Sequence, residues 1–158
     1  MDVKSFIDFL SDKVIENISD SNLSRKRDAE RWVYTTNVNV LLPKYPRVHV
    51  FEVSAPRSAR EVNSDRRRVE SRVQMSVLWS LQDRHGLNGV VSQPERGLYD
   101  LLMRLESFVN HNQDLWRGFG VLSVKSIDVR DVQSGKRDVL RKDIDFLVVW
   151  DTEAYDES

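Results

Sequence analysis

The chain has 158 residues, enough for one domain with its own core, and its lack of cysteine excludes a disulfide framework, a thiolate metal site and a cysteine nucleophile. Lysine plus arginine number 24 and aspartate plus glutamate 25, a formal charge of -1 that argues against a wholesale nucleic-acid binder. No apolar run approaches the ~20 residues that span a bilayer, and the charged start MDVKSFIDFLSDKVIENI lacks the apolar centre of a signal peptide, so the expectation is a soluble protein made in a cytoplasm.

Residues 2–18 read as a helix. Val3, Phe6, Ile7, Leu10, Val14 and Ile18 recur at spacings of three and four, and Asp2 complements the helix N-terminus. Turn and cap residues from Ser19 to Ser24 end it. A charged segment, Arg25 to Arg31, precedes WVYTTNVNVLL (32–42), whose aromatic and β-branched residues read as extended. Pro43 and Pro46 bracket a turn. Residues 47–54 then alternate, with Val48 and Val50 on one face and His49, Phe51 and Val53 on the other, so both faces are expected to be covered.

Residues 69–82 are the clearest strand. Val69, Val73, Met75, Val77, Trp79 and Leu81 fall on odd positions, and polar residues fill most even ones. After a loop over 84–89, Pro94 opens a second helix with the stripe Leu98, Leu101, Leu102, Leu105, Phe108 and Val109, ended by Asn110-His111-Asn112. Strands at 119–130 and 139–150 flank a turn around Gly135 and read as a hairpin. The order helix, strand, strand, helix, strand, strand predicts one α+β domain over 1–150. Its expected form is a mostly antiparallel sheet of about four strands, with a long protruding hairpin and helices on one face.

Few residues suggest catalysis. His49, His85 and His111 have no metal-ligand spacing and read as surface or cap histidines. No P-loop, dinucleotide or nucleophile-elbow motif occurs. Asp143 and Asp145 place two carboxylates on one face at the start of an apolar strand, as metal-dependent nucleases do, because magnesium needs oxygen ligands beside a scissile phosphate. Such nucleases usually add a Glu-x-Lys, which is absent here. The plainer reading makes both acids solvent-facing residues opposite Ile144 and Phe146.

The charges are not evenly spread. Between residues 57 and 72 stand Arg57, Arg60, Arg66, Arg67, Arg68 and Arg72 against three acids, a local charge of +3. The stretch 57–68 reads as an extended charged loop between two pairing strands, suited to an acidic partner surface or to DNA phosphates. Without aromatic residues it offers no base-stacking platform. At the other pole, Asp143 to Ser158 holds six acids and no lysine or arginine. Residues 151–158 read as an acidic tail, with Asp151, Glu153, Asp156 and Glu157 as a counter-surface for a neighbouring subunit's arginines.

The proline-led strand Tyr45-Pro46-Arg47-Val48-His49-Val50, the charged loop, the helix Gly97-Leu98-Tyr99-Asp100-Leu101-Leu102 and the terminal hairpin ending Val148-Val149-Trp150-Asp151 form a familiar order. In size and element order the chain resembles the tail terminator, or tail-completion, proteins of tailed bacteriophages. The extra length at 25–42 departs from that pattern. The resemblance implies a structural virion protein of the tail or neck, with no catalytic residue, metal or cofactor. It implies a hexameric ring that caps the tail tube and joins the head connector, with passing contact to DNA in the lumen. The alternative from another class is a nucleic-acid binder or metal-dependent nuclease using the Arg57–Arg72 segment and Asp143/Asp145.

Overall fold

The computed structural model describes residues 2–18, 32–36, 46–60, 67–80, 85–86, 89–90, 94–135 and 138–151; for 54–60, 67–68, 85–86, 89–90, 94–95 and 151 it describes the backbone. Three helices are described: α1 (Val3–Asn17), α2 (Pro94–Asn110) and α3 (Gln113–Phe119). The strands are β1 (Val33–Tyr34), β2 (Arg47–Arg60), β3 (Arg67–Ser80), β4 (His85–Gly86), β5 (Gly89–Val90), β6 (Val121–Gln133) and β7 (Val139–Asp151). The chain is α+β. Its main sheet has five strands in the order β1-β2-β3-β7-β6, and β4 pairs separately with β5.

The five-stranded main sheet is mostly antiparallel, with one parallel pairing. β1 lies parallel to β2, with Val33 and Tyr34 in register with Val48 and His49. This two-residue pairing uses part of the segment read as extended; residues 37–42 and 25–31 lie outside the described residues. All other pairings in the sheet are antiparallel.

One departure concerns the hairpin. β2 and β3 run further into the charged segment than expected: Arg57 pairs with Glu70, Ala59 with Arg68 and Arg60 with Arg67. Residues 57–60 and 67–68 are therefore strand, not loop, and 61–66, with Arg66, lie outside the described residues. The hairpin does not stand clear of the sheet either. β7 backs β3 from Arg68↔Asp151 to Ser80↔Val139, so β3 is the middle strand.

The described helices pack on one face. Asp2 caps α1, its carboxylate accepting the Ser5 N–H at 2.7 Å. The apolar stripe of α1 is buried as its spacing requires. Phe6 meets Trp150 of β7 edge-on at 5.6 Å and Trp116 of α3 at 6.0 Å, and Phe9 stacks on Phe119 at 4.6 Å. The odd positions of β3, from Val69 to Trp79, face this core, as do Ile144, Phe146, Val148 and Trp150 of β7.

Helix α3 was not anticipated. Seven residues hold fewer than two full turns, too few for a 3.6-residue period to show. It ends at Gly120, whose φ of 118° is a left-handed turn open to glycine, with its N–H bonded to the carbonyls of Trp116 and Arg117. The next residue starts β6. Two side chains at this junction tie the helices to that strand. The Gln113 amide donates to Val124 O at 2.6 Å and accepts from Val124 N at 3.0 Å, and Asn110 accepts from Ser126 N at 2.9 Å.

Candidate functional site

The arginine segment meets Asp151, the first residue of the acidic tail, at one end of the sheet. β3 enters the sheet at Arg67 and β7 leaves it at Asp151, so Arg68 and Asp151 are register partners. Arg57 is the register partner of Glu70. Arg60 and Arg67 oppose each other directly, a like-charge pairing that destabilises a hairpin unless an outside acid compensates. The Arg72 side chain is exposed. Glu153, Asp156 and Glu157 lie outside the described residues.

Asp143 and Asp145 are elsewhere and are not solvent-facing. Their parity is as expected, opposite Ile144 and Phe146, but the second face of the sheet is covered here, and Asp143 is only 1% exposed. Each acid is held by a guanidinium. Arg141 grips Asp143 with two bonds of 2.9 Å, Nε to Oδ1 and Nη2 to Oδ2. Arg130 Nη1 donates to Asp145 and, at 3.3 Å, to Asp128, while its Nη2 donates to Gln74 Oε1 at 3.1 Å. Gln74 Nε2 then donates to Asp143 Oδ2 at 3.0 Å and Ser76 Oγ at 2.8 Å, closing a network across β3, β7 and β6. The hydrogen bond from Asp145, ahead of the other carboxylates, pushes the Arg130 guanidinium further above its ordinary pKa.

This arrangement suits structure better than metal binding. A magnesium ion would compete with two fixed guanidinium ions for the same oxygens. Among the described residues no group of three or more His, Asp or Glu side chains could hold a metal. The Arg141–Asp143 pair could have been read from its i, i+2 spacing on one strand face, whereas Arg130 and Gln74 come from other strands whose register a single sequence does not reveal.

The histidines divide. His111 is the cap residue it was expected to be: its Nδ1 lies 2.8 Å from Ser107 O, at the end of α2. His85 is in β4, and its side chain is not among those described. His49 contradicts the surface reading, for it is fully buried on the second face and stacked against Tyr34 at 5.6 Å. Its Nδ1 lies 3.0 Å from Thr36 O. A carbonyl only accepts, so Nδ1 carries the proton and Nε2 is a bare acceptor, buried and without a hydrogen-bond partner among the described residues. Burial, with Arg47 and Arg141 adding to it, outweighs the Thr36 bond and holds the His49 pKa below its ordinary 6.5.

The large apolar side chains that stay exposed follow a pattern. Val53 lies on β2, Leu122, Ile127 and Val129 on β6, and Tyr99 and Met103 on α2. Among the described residues β1 pairs with β2 only at residues 48–49, and no strand pairs with the outer side of β6. Leu122 and Ile127 sit at the two register shifts of β6, where a bulge turns them out of the ladder. Between these shifts, Gln113 and Asn110 occupy the outer backbone groups of Val124 and Ser126. Strand addition is blocked there, and side-chain contact remains.

Compared with known proteins, the chain matches no family model and no curated protein. Among the described residues no helix is long and apolar enough to cross a membrane.

Proposed function

We propose that the chain is a structural virion protein, a ring-forming tail terminator or neck protein that caps the tail tube and joins it to the head connector. The observation that carries this reading is the placement of the exposed apolar side chains. Among the described residues three of the six lie on the edge strand β6, two on α2 and one, Val53, on β2. The two edges differ in sequence and shape. A contact between unlike surfaces on successive copies is heterologous, and such contacts generate rings when the rotation closes.

The arginines at the end of the hairpin give this ring its second kind of partner. Arg60, Arg67 and Arg68 lie at the end of β2 and β3, and the opposed Arg60 and Arg67 favour an acidic neighbour: the tube, the connector or DNA phosphates in the lumen. The alternative of a nuclease or nucleic-acid binder has less support, since Arg130 and Arg141 engage the carboxylates it would use.

Native mass spectrometry of the purified protein over a range of concentrations, alone and with tail tubes, tests the proposal. The expected result is one closed oligomer, a hexamer, alone or on the tube. A monomer under every condition contradicts it.

A further inference from the structure

The β6–β7 turn and the N-terminal half of α2 enclose an open groove of about 850 Å³. Its apolar lining includes Leu98, Val132, Leu140 and the exposed Tyr99 ring. Its cations are Arg96, Arg141 and Lys142, against the single acid Asp131. Lys142 is held in place, 2.8 Å from Asp131 and 6.0 Å above the Tyr99 ring, and Arg141 is fixed by Asp143. The groove thus joins an apolar surface to a net positive rim, which suits a short acidic peptide carrying an aromatic residue.

This chain contains such a peptide. Residues 151–158, Asp-Thr-Glu-Ala-Tyr-Asp-Glu-Ser, place Tyr155 among four acids. They start at the opposite end of β7 from the groove. Leu140 and Asp151 are eleven residues apart on one strand, about 36 Å at ~3.3 Å per residue. Tyr155, four residues beyond Asp151, reaches about 14 Å at full extension. It cannot reach the groove of its own subunit, whereas the groove of a neighbour is available to it.

We infer that the groove receives the acidic segment of a second copy of this chain, with Tyr155 on the apolar floor and the acids on the Arg96 and Lys142 rim. This rests on the ring-forming reading above and adds to its edge contact a second one, made by the acidic segment. Acceptor and donor sit at opposite ends of the same strand, so the joint repeats head to tail.

The test uses a fluorescein-labelled peptide of residues 150–158 and the full chain carrying Asp156→Lys and Glu157→Lys, whose groove is intact and whose own acidic segment is not. Fluorescence anisotropy should show saturable binding that weakens as salt is added. Arg96→Glu in the same chain should weaken it at least about tenfold, as reversing a contacting charge does. A peptide with Tyr155→Ala should also bind more weakly. No saturable binding, or an affinity that Arg96→Glu leaves unchanged, overturns the inference. The readout does not require rings. If the peptide fails to bind while the wild-type chain forms rings, the groove contact is wrong and the ring reading survives; if the peptide binds while the wild-type chain never assembles, the reverse holds.

Discussion

Two glycines on helices make opposite predictions about the same substitution. A Cβ on Gly97 would stand 2.7 Å from Cζ2 of Trp79, a fully buried ring with nowhere to move. Helix propensity favours alanine by about 1 kcal/mol, but overpacking costs roughly 1–3 kcal/mol, so Gly97→Ala should destabilise on balance. At Gly118 in α3 a new Cβ meets nothing within 4 Å, and Gly118→Ala should gain up to about 1 kcal/mol. Urea midpoints of the two variants check both signs. His49 supplies a pH test. The folded protein keeps it neutral, with its pKa below 6.5, while the unfolded chain protonates it near that value. The unfolded state then binds more protons, so the His49 contribution is complete above about pH 6.5 and is lost as pH falls toward the folded pKa. His49→Gln, which still offers Thr36 a donor, should narrow the stability difference between about pH 7.5 and about pH 5.5. An unchanged difference would show that His49 is not the group responsible.

At the scale of elements, periodicity in the sequence located α1, α2, β3 and the β6–β7 hairpin, because each has an apolar face long enough to repeat. The six predicted stripe residues of the first helix are all buried, as are the odd positions of β3 from Val69 to Trp79, while Leu81 lies outside the described residues. Trp79→Ala or Phe146→Ala, each removing a fully buried ring, should cost roughly 3–5 kcal/mol in a chemical melt. What periodicity could not supply was pairing. The neighbours of β3 are β2, which ends at Arg60, and β7, which begins 79 residues later at Val139, and only that register reveals why Asp143 is buried. The parity of Asp143 was legible, and its environment was not, since Gln74 and Arg130 reach it across strands. The network predicts strong coupling. Arg141→Met leaves a buried carboxylate short of its main partner and should cost about 3–5 kcal/mol. Adding Asp143→Asn removes the stranded charge and should recover much of that loss. Additive losses in the double-mutant cycle would mean that the two side chains do not act together.

For the whole molecule, part of the acidic pole is neutralised by arginines outside the 57–72 segment. Asp143 and Asp145 are engaged by Arg141 and Arg130, and Asp151 stands in register with Arg68. The excess that remains is local: arginines at the hairpin tip, a basic groove at the far end of β7 and the acids of residues 152–158. With exposed apolar side chains on β2, β6 and α2, the molecule has unlike surfaces, as a heterologous assembly requires. Replacing Arg66, Arg67 and Arg68 by alanine should change stability by no more than about 0.5 kcal/mol per residue, yet weaken docking on tube or connector, measured by co-sedimentation with tails. The most direct measurement is an electron cryo-microscopy reconstruction of the assembled tail with this chain present. The account predicts a closed ring of copies between the tail tube and the head connector; particles that contain no such ring of this chain would contradict it.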